Sequence, residues 1–230
     1  MTLADLLTSP SAPSLPPVHP ALRTDEPRVH PATGWAKRAF DVVGALVLLL
    51  LFAPILALVA LRIWAHDRGP ALFAHTRIGL NGRAFDCLKF RTMVPDAERL
   101  LPALRASTGS DALLFKLQDD PRITAPGRML RRYSLDELPQ LFNVLRGDMS
   151  LVGPRPQVAD EVALYRGDMG RRLSVRPGVT GLWQVSGRSD LSADEAMRLD
   201  LHYVDTWSFA SDLAILVRTL RAVAKPDGAY

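Results

Sequence analysis

The chain has very little of what metal clusters and disulfide frameworks are built from: one cysteine, Cys87, and five scattered histidines, His19, His30, His66, His75 and His202. A single thiol excludes an intramolecular disulfide and a thiolate cluster, and no His-Glu-x-x-His or Cys-His spacing exists to hold zinc. Also missing are Gly-x-x-x-x-Gly-Lys-Ser/Thr and Gly-x-Gly-x-x-Gly, the common phosphate-cradling loops, and Val185-Ser186-Gly187 does not complete a Gly-x-Ser-x-Gly elbow. The opening stretch lacks the basic start, apolar stretch and small-residue cleavage site of a secretory leader. Aromatic residues make up 7% of the chain and are not interleaved with basic ones in any recognisable nucleic-acid module, so no nucleic-acid partner is expected. The net charge of +4 still suits an anionic partner such as a phosphate or an acidic headgroup.

Proline is plentiful but uneven. Seven prolines (Pro10, Pro13, Pro16, Pro17, Pro20, Pro27 and Pro31) crowd residues 1–33, a composition that sustains neither a helix nor a core, and this part is expected to be a disordered tail. After Trp35, Lys37 and Arg38, the twenty residues Val42 to Leu61 contain no charged or strongly polar side chain. That length suffices for a membrane helix, and fourteen Val, Leu, Ile or Phe at roughly 0.3–0.6 kcal/mol each favour insertion by several kcal/mol. Pro54 sits past the middle, where it removes a backbone hydrogen bond. Basic residues flank both ends (Arg23, Arg28, Lys37 and Arg38; Arg62, Arg68, Arg77 and Arg83), so the positive-inside rule has no asymmetry to act on. The economical expectation is a helix over 34–66 that enters, bends at Pro54 and returns to the same face, with a straight span as the alternative.

Residues 67–230 read as one α+β domain, mostly helical with a short β-hairpin. Ala71–Ile78 and Arg83–Met93 flank Asn81-Gly82, a dipeptide suited to positive φ in a turn. Helix is expected over Pro95–Leu104 and Leu135–Leu145, the latter ended by Arg146-Gly147, with a break at Thr108–Asp111. Gly153-Pro154-Arg155-Pro156 and Arg176–Gly187 read as irregular. From Leu213 to Ala224, apolar residues recur at three- and four-residue spacing with Arg218 and Arg221 between them, which fits packing on a core or lying on a membrane surface.

The densest polar constellation runs from Asp119-Asp120-Pro121-Arg122 to Arg155, centred on Ser134-Leu135-Asp136-Glu137-Leu138-Pro139. Ser134 and Glu137 have capping-box spacing, though Pro139 fits the tolerated first helical turn better if Asp136 is the cap. The functional alternative makes Asp136 and Glu137 a nucleophile and an auxiliary acid/base or metal ligand. Carboxylate attack on a diphosphate brings like charges together, at about 4 kcal/mol per pair at 4 Å for an effective dielectric near 20. Cations must offset this, and Arg122, Arg128, Arg131, Arg132, Arg146 and Arg155 supply guanidinium forks, with a divalent ion such as Mg²⁺ to complete the neutralisation.

These residues resemble the bacterial monotopic phosphoglycosyl transferases, or polyprenyl-phosphate sugar-phosphate transferases. The likeness begins at Lys37-Arg38-Ala39-Phe40-Asp41 and takes in Lys89-Phe90-Arg91-Thr92-Met93, Asp120-Pro121-Arg122, Ser134–Leu141, Gly147–Pro156 and Arg176–Gln184, ending at Gly228-Ala229-Tyr230. It implies a re-entrant membrane helix, a catalytic domain on the cytoplasmic face of the bacterial inner membrane, UDP-sugar donors, a polyprenyl phosphate acceptor and Mg²⁺. By position, Asp136 would be the nucleophile and Glu137 its partner, both near the metal, while Arg155 and Arg131, with Lys89 and Arg91 behind them, would hold phosphate. The chain looks like the compact members that start exopolysaccharide repeat units with galactose or glucose; oligomerisation is left open. Ala53 stands before Pro54 where many relatives carry Ser. A competing reading is a non-enzymatic basic membrane scaffold, indifferent to Asp136.

Overall fold

The computed structural model describes residues 30–108, 120–187 and 191–224. The elements are α1 (Trp35–Asp67), β1 (Leu72–Ile78), β2 (Ala84–Phe90), α2 (Ala97–Thr108), α3 (Ala125–Arg132), α4 (Gln140–Arg146), β3 (Ser150–Val152), α5 (Ala159–Ala163), β4 (Gly178–Thr180), α6 (Ala193–Thr206) and α7 (Phe209–Ala224). The expected α+β class, mostly helical with a β-hairpin, is what forms. Most of the Pro-rich tail, the residues after Thr108 in the expected break, and the Gly228–Tyr230 match lie outside the described residues. Residues 30–33, counted by composition with the tail, are packed: His30 bonds the Val204 carbonyl through Nε2 at 2.8 Å and Ala32 is buried.

α1 runs without interruption through Pro54 and is long and apolar enough to cross a membrane. Its burial is uneven along its length. Lys37, Asp41 and Ala45, four residues apart and so on one face, are buried at one end, and Val59 and Ile63 are buried at the other. Between them Leu50, Leu51 and Leu58 are 65–78% exposed. Both ends pack on the same domain. Leu48 and Leu49 touch the core built around Leu141, Val144, Met149 and Leu151, while Val59 and Ile63 join Phe90 and Leu130 in a second cluster. Among the described residues Leu50, Leu51 and Leu58 join neither cluster, and a contiguous exposed apolar surface of this kind suits a non-aqueous neighbour.

The first end is held by buried charge. Lys37 Nζ lies 2.8 Å from both Asp41 Oδ1 and Asp212 Oδ2, and all three side chains are at most 2% exposed. Asp41 also accepts from Ser150 Oγ and the Leu151 N–H, and Asp212 from Tyr203 OH and Trp207 Nε1. At the other end Arg91 forks onto Asp67.

β1 and β2 pair antiparallel with Phe73↔Lys89, His75↔Cys87 and Arg77↔Phe85 in register. Their connection places Asn81 at φ 54° and Gly82 at φ 74°, the left-handed pair that the dipeptide suits. Asn143, fully buried on α4, clamps the hairpin: Oδ1 accepts the Leu88 N–H at 2.9 Å and Nδ2 donates to the Asp86 carbonyl at 2.7 Å. The irregular reading of 176–187 needs correction, since β4 pairs parallel with β3 and a 3-10 turn follows at Trp183–Val185. A Cβ on Gly178 would sit 2.1 Å from the Gly153 nitrogen, so this close approach requires glycine. α7 packs on the core through Asp212 and Ile215, while Phe209, Leu213, Val217 and Leu220 are exposed.

Lys37→Met should strand two buried carboxylates and cost about 3–5 kcal/mol. Thermal unfolding in detergent, with exposed Arg221→Met as control, should show a large drop in midpoint for the first variant and almost none for the second.

Candidate active site

The chain leaves α3 through Ser134, whose φ of 54° is left-handed for a residue with a side chain, at a cost of roughly 1–3 kcal/mol. This swings Leu135–Glu137 into a 3-10 turn ahead of α4, which begins only at Gln140. The continuous helix expected over Leu135–Leu145 is therefore split, because Pro139 has no N–H to extend the helix backward. Neither capping arrangement forms. Ser134 makes no side-chain cap bond, and the residue at the α4 N-cap is Pro139 rather than Asp136. The two carboxylates are thus not spent on starting a helix.

Their surroundings push them apart. Asp136 is buried, and burial, reinforced by the neighbouring Glu137 charge, raises its carboxyl to about 6 against the pull of Lys89 and Arg131. Burial opposes ionisation of Glu137 too, but Lys89 and Arg155 outweigh it and hold that carboxyl below its ordinary value. Lys89 Nζ lies 2.7 Å from Glu137 Oε1 and Arg155 Nη1 3.9 Å from the same oxygen. Two adjacent carboxyls with opposite shifts are the usual mark of divided chemical roles.

Of the cations read from the sequence, Lys89 and Arg155 meet at Glu137. Arg131 is near enough for Asp136 to act on it electrostatically, and its Nε donates to Thr92 Oγ1 at 2.9 Å. Arg91 is placed elsewhere: buried, its guanidinium forks onto Asp67 and its Nε donates to the Pro70 carbonyl, so it pins the end of α1 rather than facing the dyad. Arg122 pairs in bidentate fashion with Asp120, and Arg132 lies over the Tyr133 ring. The cleft beside Glu137 also contains Arg77, Gln140 and Gln184, none of which had been singled out for the site. Arg77 could have been found, because hairpin alternation puts residues 75, 77, 87 and 89 on one face. Gln184 comes from a 3-10 turn that no pattern marks. The Arg155 guanidinium lies over Trp183, 5.8 Å from the ring centroid.

The model of the bacterial sugar transferase family matches residues 32–226. The chain belongs to that family. Among its relatives, the undecaprenyl-phosphate galactose phosphotransferase of Salmonella typhimurium is 47% identical over 201 residues, 84% of this chain and 41% of that protein. The chain therefore spans about two fifths of that relative's length. The exopolysaccharide production protein ExoY of Rhizobium meliloti is 46% identical over 207 residues, covering 88% of this chain and 91% of that protein. The UDP-glucose:undecaprenyl-phosphate glucose-1-phosphate transferase of Caulobacter vibrioides is 44% identical over 217 residues, 91% and 77% respectively.

In this sugar transferase the donor set for a metal is sparse: among the described residues no three His, Cys, Asp or Glu side chains gather. Two adjacent carboxylates nevertheless fit Mg²⁺, which is held by one or two carboxylates together with water and substrate phosphates.

A carboxyl near 6 in the fold and 3.8 when free makes the folded chain bind more protons between those values, so the Asp136 charge costs stability as pH rises through that window. Asp136→Asn should be more stable than the parent at pH 8, by about 3 kcal/mol, and should lose this advantage below pH 4. Unfolding midpoints across pH in metal-free detergent buffer check it.

Proposed function

We propose that the chain transfers a sugar 1-phosphate, galactosyl or glucosyl, from a UDP-sugar to undecaprenyl phosphate as the first membrane step of exopolysaccharide synthesis. The observation that carries this reading is the Asp136-Glu137 pair, uncapped, with opposite shifts and ringed by Lys89, Arg155, Arg131 and Arg77. A non-enzymatic scaffold has no use for a buried carboxylate that costs stability.

In the first half-reaction an Asp136 carboxylate oxygen bonds to the β-phosphorus of the donor, and the bond from that phosphorus to the bridging oxygen breaks. UMP leaves with the oxygen, and the sugar phosphate is held as an acyl phosphate. A phosphate oxygen of the lipid then attacks the same phosphorus, forming the lipid diphosphate sugar and returning Asp136 to a carboxylate. Splitting the transfer means the two anionic substrates need never be aligned around one phosphorus together. Lys89 and Arg155 hold Glu137 ionised and, with Arg131, offset the charge that the diphosphate brings beside Asp136. Arg155 presents a planar fork to phosphate, with Trp183 against its face. Mg²⁺, when held by Asp136 and Glu137, would add Lewis-acid neutralisation of the phosphate oxygens.

The acceptor is a lipid, and the helix geometry bears on how it is met. A straight span would put the two ends of α1 some 30 Å apart across the bilayer, yet Lys37 and Asp67 both bond to the same domain. A re-entrant helix, its exposed middle around Pro54 in lipid and both flanks on the cytoplasmic side of the inner membrane, fits that packing. The outward stripe of α7 would lie in the headgroup plane beside it.

Brief incubation with labelled UDP-sugar and Mg²⁺, without acceptor, should leave label on the parent protein and none on Asp136→Asn; label on both would remove Asp136 as nucleophile. For topology, single cysteines at Arg28 and Arg68 in a Cys87→Ala background should both be shielded from a membrane-impermeant thiol reagent in intact spheroplasts. Labelling of one alone would establish a straight span.

A further inference from the structure

Arg155 stands on an unusual backbone. With prolines at 154 and 156, two of the loop's N–H groups are missing, so its carbonyls must do the fixing. Four consecutive carbonyls are all taken, by donors from three parts of the chain. Pro154 O accepts from the Gly178 N–H at 2.8 Å, Arg155 O from Arg172 Nη2 at 2.7 Å, Pro156 O from Arg77 Nη1 at 3.1 Å, and Gln157 O from the Ile78 N–H at 2.9 Å. Three of these partners belong to β1 or β4, which already line the cleft. Arg172 does not: it comes from the 3-10 stretch Gly167–Ser174, and the residue is 5% exposed.

What holds Arg172 is equally specific. Its Nε and Nη2 lie 2.8 and 2.6 Å from Asp200 Oδ2, on α6, and its Nη1 donates to Tyr165 OH at 2.6 Å. Tyr165 in turn donates to Gln157 Oε1, the side chain at the far end of the same loop. The Arg155 backbone also acts on Asp200, so the peptide groups around Arg155 are addressed from both sides. A buried ion pair that served only to join α6 to the 3-10 stretch would not need a third and fourth contact on the Arg155 loop.

We infer that Arg172, held by Asp200 and Tyr165, is a positioning residue that fixes the Arg155 guanidinium for the donor's phosphate. The inference rests on the proposed phosphate role of Arg155. Positioning has a quantitative signature, because misplacement of a binding group by about 1 Å costs up to 10²-fold in rate, and the loss exists only while the positioned group is present.

A double-mutant cycle on donor kcat/KM reads this out, using full-length protein in detergent with UDP-sugar and undecaprenyl phosphate. Arg172→Gln should lower kcat/KM at least tenfold in the parent, and less than twofold further in an Arg155→Ala background. Tyr165→Phe keeps the ring and removes one contact on Arg172; it should lower kcat/KM about threefold with an unchanged unfolding midpoint, and it carries the test should Arg172→Gln fail to fold. Additive losses for both variants, or parent-level kinetics in them while Arg155→Ala is defective, would overturn the inference and leave the role of Arg155 standing. Parent-level donor kinetics in Arg155→Ala itself would remove that role and the inference together.

Discussion

One ammonium group ties the long apolar helix to α7 and, through Asp41, to β3. Lys37, at the foot of the apolar helix, is sealed between Asp41 on its own helix and Asp212 on α7, with Asp41 also reaching the β3 backbone. Desolvating three charges is costly, and such a cluster persists only when its remaining lone pairs are occupied. Here they are, by Ser150, the Leu151 N–H, Tyr203 and Trp207. Burial and the Asp212 charge push the Tyr203 hydroxyl far up, so it stays a neutral donor. The cluster fixes where the long apolar helix leaves the domain, and with Asp67–Arg91 at the other end both feet of the helix are held.

From that frame the site follows as a problem of charge. Two adjacent carboxyls repel each other and would repel the proposed diphosphate donor, and the fold supplies cations from separate elements: Arg77 from β1, Lys89 from β2, Arg131 from α3 and Arg155 from the loop after β3. Because they approach from different directions, the two carboxyls feel different fields. Glu137, with Lys89 at 2.7 Å, stays ionised, while Asp136 retains the burden of burial and rises to about 6. In the proposed mechanism such a carboxyl suits a nucleophile, ionised near neutral pH yet less strongly solvated than a surface carboxylate.

Much of this was legible in the residues. The length of Val42–Leu61 announced the apolar helix, Asn81-Gly82 the hairpin and Gly147, at φ 93°, the end of α4. The dyad and most of its cations were marked by motif. What escaped did so for physical reasons. β3 and β4 are three residues each, too short for alternation to show, and they pair because Gly153 and Gly178 let two backbones meet. The 3-10 turn at Leu135–Glu137 has no propensity signature apart from helix, and only Pro139 hints at it. Arg91 carries the same charge as Lys89 two residues away, and alternation alone would put both on one face; but β2 ends at Phe90, and beyond it Arg91 turns to Asp67. Arg172 and Asp200 are separated by 28 residues, a pairing that no local pattern specifies.

In the proposed mechanism sugar phosphate rests on Asp136 between two separate displacements. Isotope exchange tests this most directly. With UDP-sugar, Mg²⁺ and labelled UMP but no lipid acceptor, the parent protein should pass label from UMP into UDP-sugar, because the first displacement reverses by itself, and Asp136→Asn should pass none. Exchange that requires the lipid acceptor would contradict a covalent intermediate and place the transfer in a single ternary complex.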